Sequence, residues 1–233
     1  MIEFSEDPIL RGLVRVVQPR RGYRFSLDSL LLADFALRAR FSRALDLGSG
    51  SAVIAMILAQ RRPRARVLGL EIQPELCEAA RRGVALNGLG DRVQIVQGDL
   101  REAERLVAHG AFGLVVCNPP FHEPAHGEVS PDAGRATARH ALCCTLDDVL
   151  RAARHACRPG GRVALIHPGR DLPSVAGLTL RAVRPVVSRA GRPARRYLME
   201  LSRSAPGRVQ KLPQLLVHEG AGYTTELRRI LGD

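Results

Sequence analysis

The chain has 233 residues, of which 45% are hydrophobic, so it is long enough to bury one sizeable core. No apolar run approaches the ~20 residues that a membrane-spanning helix needs. The start of the chain is acidic and unlike a secretory signal, so we expect a cytoplasmic protein with no membrane partner. The five cysteines contain no C-x-x-C pair, which disfavours zinc ribbons and thioredoxin-like chemistry.

The positive charge of the chain is concentrated in its last third. The formal net charge is +12, and residues 151–233 hold 16 basic and 5 acidic side chains. Nearly all the basic residues are arginines, with Lys211 as the single lysine. Arginine binds phosphate through a planar fork of donors and stacks on bases. This distribution predicts a nucleic-acid partner.

Apolar strand-like runs alternate with helix-like stretches as far as residue 168. Strands are predicted at 43–47, 66–70, 92–96, 112–117 and 162–166, and helices at 51–60, 74–87 and 146–156. This alternation predicts an α/β fold with a mostly parallel, doubly wound, Rossmann-like sheet. Residues 178–187 and 196–201 then predict an antiparallel hairpin at the sheet edge, and 215–217 a further short strand.

The domain organisation follows from the absence of any linker-like segment. We predict one domain over residues 1–233. It comprises an N-terminal extension (1–25), a binding and catalytic core (26–168) and a basic hairpin with its tail (169–233).

A glycine turn, Asp46-Leu47-Gly48-Ser49-Gly50, directly follows the first predicted strand. Glycines let the backbone turn tightly and let a ligand approach it closely, and open parallel sheets bind ligands at this end of their strands. A dinucleotide fingerprint would need glycine where Val53 stands. The turn therefore disfavours an NAD site and favours a pocket for S-adenosylmethionine (SAM), which has no pyrophosphate.

Acidic residues also end the second and third predicted strands. Glu71 lies 25 residues after Asp46, where a carboxylate accepts hydrogen bonds from both hydroxyls of a ribose. Asp99, in Gly98-Asp99-Leu100, is placed to meet the amino group of an adenine. Either residue alone is as well explained as a helix cap. Three acids at three successive strand ends favour a nucleoside cofactor.

The most specific motif is Asn118-Pro119-Pro120-Phe121, after the fourth predicted strand. The amine of adenine is a poor nucleophile because its lone pair is delocalised into the ring. The Asn118 side-chain oxygen and the Pro119 carbonyl oxygen each accept one N–H bond, which directs the lone pair at the methyl group. The two prolines fix the backbone, and Phe121 stacks on the base, worth about 1–3 kcal/mol.

Taken together, these motifs resemble the SAM-dependent N-methyltransferases with an N-P-P-[YF] loop. The flanking segments are similar to the bacterial tRNA(Val) adenine-N6 methyltransferases, which modify the adenine beside the anticodon. The resemblance covers most of the chain, and the flanks that carry it are residues 22–33 (GYRFSLDSLLLA), 192–199 (RPARRYLM) and 222–227 (GYTTEL). It departs from that pattern at Ala52, where many relatives have glycine, and at Phe121, which replaces tyrosine.

The resemblance implies a class I SAM-dependent methyltransferase fold, SAM as the cofactor and tRNA as the partner. It implies that the target base is held by the catalytic residues Asn118, Pro119, Pro120 and Phe121. The implied cofactor-binding residues are Ser26 and Asp28 as a lid, Asp46, Gly48, Ser49 and Gly50 at the amino-acid end, Glu71 with Ile72 at the ribose, Asp99 with Leu100 at the adenine, and Asn118.

Two further patterns concern metal and RNA. His122-Glu123-Pro124-Ala125-His126 has the letters of a zinc-protease motif, but Pro124 prevents both histidines from lying on one helix face, so we expect no metal. Arg192, Arg195 and Arg196 lie at the predicted hairpin tip, and their one-sided charge favours an RNA contact over a solvated charge run.

Three other functions remain open on the sequence. An Asn-Pro-Pro loop also serves N5-methylation of a glutamine in a protein, which substrate assays would distinguish. Adenine methylation of DNA or rRNA is the second, although no separate DNA-recognition domain is visible. The third is a non-catalytic RNA-binding protein, which failure to bind SAM would favour.

Overall fold

The computed structural model describes residues 2–21, 24–119, 144–169, 171–172, 175, 177–204 and 207–233. Its helices are α1 (Leu27–Ala36), α2 (Val53–Arg61), α3 (Pro74–Leu86), α4 (Ala103–Leu106), α5 (Leu146–Ala156) and α6 (Thr225–Leu231). Its longer strands are β1 (Phe4–Ile9), β2 (Val14–Pro19), β3 (Arg43–Leu47), β4 (Arg66–Glu71), β5 (Val93–Gln97), β6 (Phe112–Cys117), β7 (Cys157–His167), β8 (Thr179–Val187) and β9 (Ala194–Ser202). Four two-residue strands follow, namely β10 (Gln210–Lys211), β11 (Leu215–Leu216), β12 (His218–Glu219) and β13 (Gly222–Tyr223).

The central sheet is mostly parallel, as the sequence predicts. Its strand order is β10-β8-β9-β7-β6-β3-β4-β5, and β11 also pairs with β8. Strands β5, β4, β3, β6 and β7 run parallel, whereas β9 is antiparallel to both β7 and β8. The predicted antiparallel hairpin is therefore present and extends the sheet beyond β7. The carboxyl ends of β3, β4, β5 and β6 meet at one edge.

Helices pack against both faces of this sheet through buried apolar residues, which makes the sheet doubly wound. One buried cluster joins α1, α2 and α3 to the sheet, and a second joins α4 and α5 to the opposite face. All six residues of β6 are buried, as a central parallel strand covered on both faces requires. Helix α2 is buried from Val53 to Ala59, which matches its almost uniformly apolar sequence.

The predicted starts of α2 and β7 differ from the structure. Helix α2 begins at Val53 rather than at residue 51, because the glycine turn continues to Ala52. Strand β7 starts at Cys157 rather than at residue 162. There the pairing with β6 shifts from Phe112–Cys157 to Leu114–Arg162, and Gly160 has φ +70°, so glycine accommodates an irregularity within a strand.

The N-terminal segment forms elements that the sequence analysis does not assign. Strands β1 and β2 pair as an antiparallel hairpin, and the buried side chains of Val14 and Val16 join the core beside α3. Helix α1 then packs against α2 and the sheet, burying Leu30, Leu31 and Leu32. Consecutive leucines lack the spacing of an amphipathic helix, and for this reason hydrophobic periodicity does not predict α1.

The helices of the described ranges are all too short or too polar to cross a membrane.

Candidate active site at the carboxyl edge of the sheet

The glycine turn after β3 is held down on the neighbouring strand β4. The backbone N–H groups of Gly48 and Ser49 donate to the Leu70 carbonyl at 2.8 and 3.0 Å. Gly69 makes this approach feasible, because a Cβ there would lie 2.8 Å from Ser49 Oγ. Gly48 has φ +67° and open space where a side chain would project, so the predicted turn leaves room for a ligand against its backbone.

Ala52 explains why glycine suits this position in related sequences. Its φ is +59°, in the left-handed region, and it directly precedes α2. Such a conformation costs a residue with a Cβ about 1–2 kcal/mol. The departure from the family pattern is therefore accommodated with local strain, and the turn keeps its shape.

Glu71 ties the end of β4 to the glycine turn. Its Oε2 accepts the backbone N–H of Gly50 at 2.8 Å, and its Oε1 accepts that of Gln73 at 2.9 Å. The side chain is buried, and loss of solvation raises the pKa of the carboxyl above its ordinary value, partly opposed by these hydrogen bonds. Because Oε1 also accepts the side-chain amide of Gln73 at 3.5 Å, Oε2 is the oxygen that keeps a lone pair for a ribose hydroxyl. The next residue, Ile72, is half-buried.

Asp46, at the end of β3, is only 1% exposed. Its Oδ2 accepts the backbone N–H of Ala55 at 3.1 Å. Burial raises the pKa of this carboxyl to about 8, with a smaller contribution from the charge of Glu71. Burial therefore favours the protonated form of Asp46 in the ligand-free protein, and a nearby cation would favour its ionised form.

Two buried hydroxyl groups in the same turn have no hydrogen-bond partner among the described residues. They are Ser49 Oγ and Ser51 Oγ. Orphaned buried polar atoms are rare and usually mark a ligand or a water site. Together with the open space at Gly48, they provide donors for the carboxylate of an amino-acid-like group. These residues fit the cofactor that the sequence predicts, SAM.

Asp99 lies at the end of β5, on the same sheet edge, but its carboxylate is already engaged. The backbone N–H of Arg101 donates to Asp99 Oδ1 at 2.9 Å, and the guanidinium Nε donates to Oδ2 at 2.8 Å. This arginine holds the pKa of Asp99 below its ordinary value. Leu100 starts the short helical turn that Asp99 caps, and both residues are half-buried. Contact with an adenine remains a prediction for both.

Asn118 follows β6 and meets the glycine turn across a small cavity. The cavity is lined by Phe25, Ser29, Gly48, Ser49, Ser51, Val53, Ile54 and Asn118. The amide Nδ2 of Asn118 donates to Ser29 Oγ at 3.1 Å. Because the nitrogen side of the amide is held by α1, its Oδ1 is directed away from that helix. Pro119 is buried beside it, whereas Pro120, Phe121 and the 122–126 motif lie outside the described residues.

Ser29, which is 4% exposed, is a residue of this site that the sequence does not predict. Its neighbours Ser26 and Asp28 were predicted to cover the cofactor. Ser26 is the exposed residue before α1, and Asp28 Oδ2 accepts Arg196 Nε at 3.1 Å. The pattern Ser26–Ser29 at the start of an apolar helix was the available signal, but it does not reveal which hydroxyl faces Asn118.

The three arginines predicted to contact RNA differ in their surroundings. Arg192 is exposed in the β8–β9 connection, and Arg195 is exposed at a bulge near the start of β9. Arg196 instead points inwards and forms the ion pair with Asp28. The structure leaves Arg192 and Arg195 on the surface and pairs Arg196 with Asp28, and contact with RNA stays a prediction for all three.

Within the described ranges, no group of three or more His, Cys, Asp or Glu side chains is placed to hold a metal ion.

The sequence of the chain is similar to a known protein family and to named relatives. Residues 26–168 match the family described as the methyltransferase small domain. The chain is 36% identical over 191 residues to a tRNA1(Val) (adenine(37)-N6)-methyltransferase of Porphyromonas gingivalis, which covers 77% of this chain and 73% of that protein. It is 29% identical over 244 residues to a protein of the same name from Yersinia pseudotuberculosis, which covers 99% and 95% of the two chains.

A solved structure shares the fold. It is that of a predicted O-methyltransferase from Agrobacterium tumefaciens, with a TM-score of 0.64 and 23% sequence identity, covering 87% of this chain and 94% of that one. At this identity the likeness extends to the architecture alone, and it agrees with the Rossmann-like sheet described above.

Proposed function

Because the chain belongs to the methyltransferase small domain family and, by its curated relatives, to the tRNA1(Val) (adenine(37)-N6)-methyltransferases, we propose that it methylates the N6 amine of an adenine in tRNA, next to the anticodon. The methyl donor is SAM. The observation that carries the proposal is the shared cavity in which the glycine turn meets Asn118, with the amide nitrogen of Asn118 held by Ser29.

The chain's part in the reaction is to position the amine. Asn118 Oδ1 accepts one N–H of the target amine, and the Pro119 carbonyl accepts the other. These two bonds localise the lone pair and direct it at the methyl group, so that catalysis comes mainly from orientation. SAM, when bound, would supply a methyl group activated by its sulfonium, with S-adenosylhomocysteine as the leaving group. The amine proton, acidified by the transfer, would leave to water.

Ser29 holds the side-chain amide of Asn118 in its orientation. An asparagine amide has two ends of similar size, and only the oxygen accepts from the amine. Here Nδ2 donates to Ser29 Oγ, which leaves Oδ1 as the end of the Asn118 amide that meets the substrate.

A tRNA substrate agrees with the charge of the chain and with the reaction. The net charge of +12 suits a polyanion. The target base must leave its stack to reach the cavity, which costs a few kcal/mol and least in a single-stranded loop. We extend the proposal to a cytoplasmic location, to one domain over residues 1–233, and to RNA contacts by Arg192 and Arg195.

The direct test is to incubate the protein with methyl-labelled SAM and total tRNA from cells that lack this modification, then to digest the RNA and identify the labelled nucleoside. We expect labelled N6-methyladenosine, and far less of it with Asn118→Ala. Binding of SAM without any label in tRNA would contradict the proposal. Label in a protein glutamine or in another nucleic acid would identify the alternative substrate.

A further inference from the structure

A second and larger cavity lies at the amino ends of β3, β4 and β5. The candidate active site lies at the carboxyl ends of the same strands. The volume of the second cavity is about 690 Å³. It is lined by four arginines, Arg43, Arg66, Arg81 and Arg92, and by apolar residues of the strands, Val67, Leu68, Val93, Ile95 and Phe112. We call the four arginines and the cavity that they line the arginine cleft. It is separate from the cavity at Asn118.

Three of these arginines stand in a row across neighbouring strands. Arg43 and Arg66 are direct partners at the first residues of β3 and β4. Arg92 immediately precedes β5, and its carbonyl accepts the Val67 backbone N–H at 2.8 Å. Adjacent strands lie about 4.8 Å apart, and like charges side by side destabilise a sheet. The row is therefore a site where an anion would relieve repulsion.

Acidic residues within the described ranges do not neutralise the row. No ion pair within 4.0 Å joins Arg43, Arg66, Arg81 or Arg92 to an acidic side chain there, although eleven other ion pairs are present. Asp91 is the acidic residue lining the cleft. Four guanidinium groups and one carboxylate leave a local charge of about +3 on an open surface.

Three of the four guanidinium groups are held in place but retain free donors. Arg43 stacks over the Phe112 ring, with its Cζ 5.3 Å from the ring centroid. Arg81 donates to the Ile95 carbonyl at 3.2 Å, and Arg92 donates to the Ala59 carbonyl. Each guanidinium carries five N–H donors, so each has several left for phosphate oxygens. Their partial fixation lowers the entropic cost of binding an anion.

We infer that the arginine cleft binds the phosphate backbone of the RNA substrate, at a part of the RNA outside the target loop. This inference rests on the proposed function. The six residues of β4 separate Arg66 from Glu71 by about 17 Å. That span corresponds to a few base pairs of duplex. One RNA that runs along the outer side of β5 can therefore reach both the cleft and the candidate active site. The cleft then adds affinity and register without reading sequence.

The test measures binding of full-length tRNA as a function of salt for Arg43→Gln/Arg66→Gln. We expect about tenfold weaker binding at moderate salt, and a slope of log affinity against log salt that is reduced by roughly 1.8, for two lost phosphate contacts. Arg43→Lys/Arg66→Lys should keep most of the slope, because it keeps both charges. Equal affinity and slope in the Gln variant and the wild type would overturn the inference.

The matched control is Arg11→Gln/Arg15→Gln, which removes the same net charge from exposed arginines that are already paired with Asp233 and Glu6. Its tRNA affinity should stay close to that of the wild type. A short stem-loop that carries only the target region should bind the cleft variant and the wild type alike. Equal weakening of the stem-loop and the full tRNA, or of the control, would also overturn the inference.

This outcome is separable from that of the proposed function, because binding is measured without turnover. A wild-type protein that binds tRNA through the cleft but forms no N6-methyladenosine would disprove the methylation and leave the cleft standing.

Discussion

The carboxyl ends and the amino ends of the central strands differ in charge and in burial. At the carboxyl ends of β3 and β4, Asp46 and Glu71 are at most 4% exposed and bonded to backbone N–H groups. At the amino ends, Arg43 and Arg66 are exposed and face no acid among the described residues. One edge buries a few polar atoms in fixed geometry, and the other presents charge to solvent.

This contrast separates catalysis from attachment. Positioning an amine requires hydrogen-bonding groups that are shielded from water and cannot move. Holding a polyanion requires exposed charge, whose effect falls with salt. Changes at the carboxyl edge should therefore alter turnover or cofactor binding, while changes on the basic surface should alter RNA affinity and its salt dependence.

The largest effect is expected at Asn118. Asn118→Ala removes one of the two acceptors for the target amine, so the turnover number should fall by about 10²–10³-fold, as for the loss of one aligned hydrogen-bonding group. SAM affinity, measured by calorimetry, should change little. Wild-type turnover in this variant would disprove the positioning mechanism.

The next effect concerns pH and Asp46. Its pKa of about 8 means that the proton must leave before the carboxylate can face the ammonium group of SAM. SAM affinity should rise with pH up to about 8 and then level off, changing by up to about tenfold per unit below it. Asp46→Asn should bind more weakly at pH 8 and show a flatter profile. Parallel profiles in the two proteins would exclude Asp46 as the titrating group.

The same shift has a consequence for stability. The pKa of Asp46 in the folded protein lies above that of a solvated aspartate, so the stability that protonated Asp46 contributes is lost as pH rises towards about 8. The ligand-free protein should therefore melt at lower temperature at pH 8 than at pH 5, more so in the wild type than in Asp46→Asn.

A smaller effect is expected at Ser29, which holds the side-chain amide of Asn118. Ser29→Ala should lower the turnover number by about three- to tenfold, the value of one hydrogen bond, and leave the KM for SAM nearly unchanged. Ser29→Thr, which keeps the hydroxyl, should recover part of the rate. A rise in KM alone, or no rescue by threonine, would argue that Ser29 serves packing rather than orientation.

The smallest effects should separate Arg195 from Arg196. Arg195→Gln should weaken tRNA binding a few-fold and reduce the salt slope by about 1, without changing stability. Arg196→Gln should lower the free energy of unfolding by up to about 1 kcal/mol, because it breaks the pair with Asp28. Denaturant melts and filter binding of both variants check this, and the opposite assignment of effects would contradict the structure.

Much of the carboxyl edge could be predicted from the sequence. The positions of β3, β4 and β6 follow from short apolar runs, and the acids and glycines at their ends follow from local backbone requirements. Placing Asp46, Glu71 and Asp99 on one edge needs only the rule that parallel strands end together. The starts of the same strands gave a signal too, since Arg43, Arg66 and Arg92 stand at the first residue of three predicted strands.

The contacts that were missed join distant parts of the chain. Ser29 and Asn118 are 89 residues apart, and Asp28 and Arg196 are 168 apart. No local pattern of charge or hydrophobicity selects such partners. For the same reason Arg196 was grouped with its exposed neighbours, although strand geometry turns it towards α1.

The sequence by itself determined the α/β alternation, the glycine turn and the Asn-Pro-Pro-Phe loop, because each depends on residues adjacent in the chain. Tertiary structure decided which end of the Asn118 amide is held, that Asp46 is buried deeply enough to raise its pKa, and that three arginines form one row. Each of these depends on distance and solvent access between segments that only folding brings together.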